Sequence, residues 1–172
     1  MKEKIDLNEY AGLITKMLPK GILLNTQAGT FDTLVIGWGA VGTNWGVPCF
    51  TAYIRESRYT MEQLTKNPAF TVSVPLTGTI PEVTKICGSK SGRNTDKVKE
   101  AGLTLEDAEV NGVPGIREYP LTLECRVIYR QQQDEGAYPA EILDKCYPAA
   151  ANGKRDLHTM FIGQIVDAYI IR

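Results

Sequence analysis

Residues 53–64 read YIRESRYTMEQL, and within six positions they set two guanidinium groups, Arg55 and Arg58, beside two hydroxyls, Ser57 and Thr60. The run leaves an apolar, strand-like stretch and enters a short helical one. The four side chains therefore gather at a helix N-terminus, where unpaired backbone N–H groups and partial positive charge favour an anion. Arginine forks and hydroxyl donors at such a place suit a phosphate. A plainer reading uses the same residues: Thr60 and Gln63 have capping-box spacing, and the arginines could pair with Glu56 and Glu62.

Two further stretches carry related chemistry. CGSKSGRNTDK, residues 87–97, offers Ser91, Arg93 and Lys97 on a glycine-containing loop that leads into a helix, an anion-friendly arrangement that a solvated linker would also show. DTLVIGWGAVGTNWGVP, residues 32–48, joins a strand to a cluster of glycines and holds both tryptophans. Glycines let a flat ligand approach the backbone and Trp38 or Trp45 could cover it, although a glycine-rich hairpin with core aromatics reads the same way. His158 is the only histidine, so no mechanism can use two imidazoles. A lone histidine is more often structural than catalytic.

Other chemistries lack their residues. Cys49, Cys87, Cys125 and Cys146 form no CxxC pair, which removes the zinc and thioredoxin-like spacings and leaves buried, reduced thiols as the expectation. GxSxG and GxxxxGKS are absent, so no nucleophile elbow or P-loop is available; GWGAVG at residues 37–42 has GxGxxG spacing but leads into the strand-like PCFTAYI rather than a helix, so it is no Rossmann fingerprint. The 172 residues, 43% hydrophobic and 23% charged with a formal net charge of −1, describe a globular chain with one substantial core. Near-zero net charge argues against a nucleic-acid partner, and with no bilayer-length apolar run or apolar leader the expectation is a cytoplasmic protein without membrane association.

The elements that position these residues follow from periodicity. DLNEYAGLITKMLP predicts an amphipathic helix with Asp6 or Asn8 as N-cap. GILLNTQ, DTLVIG, PCFTAYI and AFTVSVP predict four strands before residue 76, with a helix over Tyr59–Lys66 between the third and fourth. Thr79 and Glu82 suggest a capped helix running to Gly88, and Asn94 caps another that stops at Gly102. LTLECRVIYR alternates as a half-exposed strand, and HTMFIGQIVDAYII is apolar enough to be a central one. Irregular alternation of strands and helices predicts a mainly β, antiparallel barrel with peripheral helices, and residues 1–172 are taken as one domain.

In this order, DTLVIGWG, PCFTAYIRESRYT, FTVSVP, CGSKSGRNTDKVKEAGLT and HTMFIGQIVDAYI resemble the flavin reductase-like family of FMN-binding split β-barrels, most of all its flavoredoxin-like branch. The resemblance implies that Arg55, Ser57, Arg58 and Thr60 hold the FMN phosphate. It places Ser91, Arg93 and Lys97 near phosphate and ribityl chain, and sets Thr33, Val35, Ile36, Gly37 and Trp38 against the isoalloxazine. His158, with Gly163, matches the family's His-x-x-x-x-Gly pattern beside the nicotinamide or substrate pocket. No metal is implied. The implied activity is an oxidoreductase carrying electrons from NAD(P)H through FMN to free flavin, ferric iron or a protein partner, in a homodimer. A non-catalytic FMN carrier or sensor is the alternative, and residues 131–156 are expected to set substrate or partner choice.

Overall fold

The computed structural model describes residues 1–172. In chain order its elements are β1 (Lys2–Lys4), α1 (Leu7–Met17), β2 (Ile22–Ala28), β3 (Thr30–Ile36), β4 (Gly39–Asn44), β5 (Val47–Arg55), α2 (Tyr59–Lys66), β6 (Ala69–Val74), α3 (Pro81–Ser89), α4 (Lys97–Glu100), β7 (Leu105–Glu106), β8 (Gly115–Ile116), β9 (Leu121–Gln132), α5 (Ala140–Cys146) and β10 (His158–Ile171). The main sheet runs β3-β2-β6-β9-β10-β5-β4, with β1 added beside the C-terminal end of β10. Every pairing is antiparallel. The two edges, β3 and β4, are consecutive in sequence but unpaired, so the barrel is split between them.

Two-residue alternation builds the interior. Ile22 and Leu24, Phe50 and Ile54, Phe70 and Val72, and Leu121 and Leu123 join Ile14 and Met17 of α1 in one cluster of 20 buried residues. Leu23 points the other way, into a second cluster with Val83 and Cys87 of α3, so α3 covers the outer face beside β3. Gly163 serves this core directly. A Cβ there would lie 2.5 Å from the Phe70 ring, at a register shift in β10.

The expected α1, α2, β2, β3, β5, β6, β9 and β10 are all present, with Asp6 accepting from the Asn8 N–H as the α1 cap. Several details differ. Six strands rather than four precede residue 76, because β1 is a charged KEK whose backbone pairs with β10 while its lysines pair with Glu109 and Asp167, and β4 is a glycine-rich edge. α3 begins after Ile80 without a side-chain cap, and α4 is capped by Asp96, not Asn94. The first half of β9 is buried on both faces. Glu124 is fully enclosed because its carboxylate accepts from the backbone N–H groups of Val110 and Asn111 at 2.8 and 2.7 Å, which folds residues 107–113 over it.

Candidate functional site

β5 delivers Arg55 to the point where the chain turns into α2, and β3 delivers residues 32–38 along the split edge. Between them lie two adjoining cavities. A polar one of about 90 Å³ is walled by Asp32, Ser57, Arg58, Tyr59, Thr60, Ser91, Gly92, Arg93 and Lys97. A second, of about 180 Å³, is walled by Leu34, Val35, Ile36, Gly37, Trp38, Tyr53, Arg55, Arg58 and His158. Of the thirteen residues singled out in the sequence, only Thr33 lines neither, its side chain being fully buried beside them.

The cations differ in what already holds them. Arg55 donates to the carbonyls of Asp156 and Cys146 at 2.9 and 3.0 Å and lies over the Tyr147 ring. Arg93 donates to Glu62 through Nε at 2.8 Å and to the Ser57 carbonyl. Lys90 pairs with Glu100. Lys97, buried, lies 2.9 Å from Asp32 and donates to the Thr33 carbonyl at 2.6 Å. Arg58, half-buried on the wall common to both cavities, meets no carboxylate or carbonyl of the chain. It is the one guanidinium here that is free for a ligand.

The capping-box reading of this stretch does not hold. Arg58 occupies the N-cap position of α2 with no side-chain cap, which leaves the first backbone N–H groups open. Thr60 lies inside the helix and donates to Asp32 at 3.2 Å, while Gln63 donates to Thr30 at 3.3 Å. Neither Arg55 nor Arg58 pairs with Glu56 or Glu62; Arg93 takes Glu62 instead. Ser57 uses its N–H and its hydroxyl on the Asp156 carboxylate, at 3.1 and 2.6 Å. The loop at 91–93 comes so close that a Cβ on Gly92 would lie 2.2 Å from an Asp32 oxygen, a contact only glycine permits.

The second cavity has a different chemistry. Lys97 takes the outward carbonyl of Thr33, so by the two-residue period of a strand the N–H and C=O of Val35 face the same free edge. Trp38 and His158 close the far side, their ring centroids 5.0 Å apart. His158 Nδ1 is 2.8 Å from the Tyr147 hydroxyl. Burial, reinforced by Arg55, lowers His158 to about 4, so the imidazole is neutral at pH 7. Cys87, on the polar cavity's wall, has its thiol pushed up to about 11 by burial and is not a nucleophile at neutral pH.

Asp32, Tyr53 and Tyr147 were not anticipated. Tyr53 had a signal, since it stands two residues before Arg55 and so shares its face of β5. Asp32 offered a weaker one, a carboxylate opening an apolar strand. Tyr147 had none: it lies in the irregular segment after α5 and reaches His158 only through the tertiary fold.

An anion pocket, an apolar slot along an open strand edge and an unpaired arginine between them are the parts a phosphorylated, flat-ringed molecule requires. Residues 24–172 match the flavin reductase like domain. The chain is similar to a flavoredoxin structure from Methanosarcina acetivorans at 25% identity and TM-score 0.64, covering 89% of this chain and 69% of that one. It also superposes on the flavoredoxin of Desulfovibrio vulgaris (Miyazaki F), with 23% identity, TM-score 0.66 and coverage of 88% and 69%. A protein of Archaeoglobus fulgidus is 32% identical over 111 residues, which is 63% of this chain and 62% of that relative's length. With nearly the whole barrel, both walls of the site included, inside the matched span, the chain belongs to the flavin reductase-like family of FMN-binding split barrels.

Proposed function

We propose that this chain is an FMN-dependent oxidoreductase that passes electrons from NADH or NADPH to an acceptor such as free flavin, ferric iron or a protein. The observation that carries it is Arg58, unpaired on the wall between the polar cavity and the strand-edge cavity. Asp32 would repel a phosphate, but Lys97 neutralises it from 2.9 Å and leaves the field at the pocket positive. Arg58, the open N–H groups of α2 and the Ser91 hydroxyl are the groups to hold the phosphate. Thr60 and Lys97 act behind them by fixing Asp32, and Arg55 and Arg93 brace the rim.

Bound FMN supplies hydride transfer. The chain's part is to position and to exclude water. The free edge at Val35 to Trp38 would offer backbone N–H donors to ring heteroatoms, Trp38 would cover a face of the ring, and neutral His158 would add no charge beside it. No side chain need take a proton for a hydride to move, so orientation provides the rate. Three of the four cysteines are buried and all are free, which fits a reducing compartment such as the cytoplasm. No helix is long and apolar enough to cross a membrane. A homodimer is part of the proposal, since Trp38, Trp45, Ile128, Tyr129 and Ile142 are all large, apolar and exposed.

A specific observation supports a second reading, an FMN carrier reduced by a partner protein. Beyond Arg58, the arginines around the site are all engaged, and Arg155 is paired with Glu135 and Asp144, which leaves few groups to hold a dinucleotide's phosphates. Anaerobic addition of NADH or NADPH to the FMN-loaded protein separates the two. Bleaching of the flavin band within the mixing time supports the oxidoreductase; bound flavin that stays oxidised supports the carrier. Failure to bind FMN in a fluorescence titration would overturn both.

A further inference from the structure

A cavity several times larger than either of those described lies beside them. It is a cleft of about 710 Å³ on the far side of Trp38 and Tyr53, floored by Tyr138 and Tyr147 and edged by Ile142 and Lys145 of α5. Four aromatic rings line it, with Trp38 and Tyr147 edge to face at 6.3 Å and Tyr138 and Tyr147 tilted at 5.3 Å, which makes an aromatic wall against which a flat ligand can pack. Its polar groups are as informative. The Trp38 indole N–H, the Tyr53 hydroxyl and the Lys145 ammonium are donors with no acceptor in the chain. The Tyr147 hydroxyl is already taken up by His158 and Gln133.

Charge narrows the class. Lys145 and Glu141 lie one helical turn apart on the rim and cancel, and Asp134 lines the adjoining hollow of about 340 Å³. A cleft with no surplus cation discriminates against phosphates and carboxylates. It favours an uncharged ring system whose oxygen atoms accept hydrogen bonds. Tyr53 lines this cleft and the strand-edge cavity alike, so its occupant lies next to whatever fills the flavin site.

We infer that this cleft binds a neutral, planar, conjugated carbonyl compound of the quinone class, which on the FMN reading above makes it the seat of the electron acceptor. In that role the quinone takes two electrons from the reduced flavin across the shared wall of Trp38 and Tyr53, with one proton released by the flavin and one from solvent, and leaves as the hydroquinone.

The test uses tetramethyl-1,4-benzoquinone, whose fully substituted ring cannot alkylate Cys146 at the cleft wall. Calorimetric titration of the oxidised, FMN-loaded protein should give one saturable site. Ile142→Asp, at an exposed position, and Tyr138→Ala should each weaken it at least tenfold while FMN stoichiometry stays at one per chain. The same titration on the flavin-free Trp45→Phe variant, where Trp38 is the sole tryptophan, should quench its fluorescence with the same midpoint. Equal affinity in the wild type and both variants would place the quinone elsewhere and overturn the inference. So would loss of binding on loading FMN, which would mean that the flavin itself fills the cleft. Failure of FMN to bind would sink the flavoprotein reading, while the flavin-free titration would still decide the cleft.

Discussion

At the scale of single residues, the site is set apart by which polar groups are left unengaged. Arg58 is the clearest case, and Arg58→Ala should weaken FMN binding by about 1.5–3 kcal/mol, the range for a charge-assisted hydrogen bond. Arg93→Ala, removing a guanidinium already paired with Glu62, should cost less than half of that. Fluorescence titration of both variants measures the difference, and equal losses would remove Arg58 from its special place. His158 makes a separate prediction. Its folded pKa of about 4 lies below the ordinary 6.5, so between those values the unfolded chain binds the proton and the folded chain does not. Stability is therefore full above pH 6.5 and falls as pH drops toward 4. Unfolding free energies from urea titrations at pH 7 and pH 5 should differ by about 1–2 kcal/mol in the wild type. With His158→Gln, which keeps a polar group near Tyr147 but cannot charge, that difference should shrink markedly.

At the scale of elements, the decisive contact is between α4 and the free edge of β3. Lys97, at the first position of a four-residue helix, closes a buried pair with Asp32 and caps the Thr33 carbonyl. A helix that short has little stability of its own, so this contact is what fixes the 91–97 loop against the edge. Lys97→Met leaves the Asp32 charge buried without its partner, and a loss of about 3–5 kcal/mol in urea denaturation is expected. Adding Asp32→Asn should recover more than half of it; no recovery would mean that the lysine matters through its packing alone. This pair also shows where sequence reading stops. α2 and β5 were legible because apolar periodicity breaks sharply at Arg55, and β10 because a long apolar strand has few other homes. The arginines and hydroxyls were legible as one cluster, and the fold does gather most of them around one polar cavity, but the division of labour within it was not legible. Lys97 and Arg58 look alike on paper, and only the fold brings Asp32 to one and nothing to the other. β4 was hidden by its glycines and β1 by its charges, since both are held by backbone pairing, which side-chain patterns do not report. Glu124 read as a solvent-facing residue for the same reason: the backbone N–H groups that enclose it come from a loop thirteen to fourteen residues upstream.

At the scale of the whole molecule, the barrel leaves one face unfinished. The β4–β5 turn carries Trp45 in a left-handed backbone conformation, φ 49°, followed by Gly46 at 75°. A non-glycine residue there carries a strain of about 1 kcal/mol, for which asparagine or glycine is the usual choice. The result is a tryptophan 67% exposed, its ring 6.1 Å from that of Tyr129 on β9, with Ile128 also open to solvent. Beside them a hollow of about 400 Å³, apolar on one side, is lined by Leu64, Pro68, Val127 and Phe161 together with Thr65 and Arg130. An apolar protrusion next to an apolar hollow suits an isologous contact, in which each copy's protrusion meets the other's hollow. If the proposed homodimer uses this face, sedimentation equilibrium at micromolar concentration should give twice the 19.0 kDa chain mass. Tyr129→Glu should then raise the dissociation constant at least tenfold, because a carboxylate buried at an interface without a partner costs more than the tenfold step of about 1.4 kcal/mol. Tyr129 is itself exposed, so the monomer should keep its thermal midpoint apart from the concentration-dependent part that dimerisation contributes. A wild type that sediments as a monomer would rule out self-association. A Tyr129→Glu variant that remains a dimer would move the interface to the Trp38 and Ile142 side, where a second copy would close over the quinone cleft and make acceptor binding depend on protein concentration.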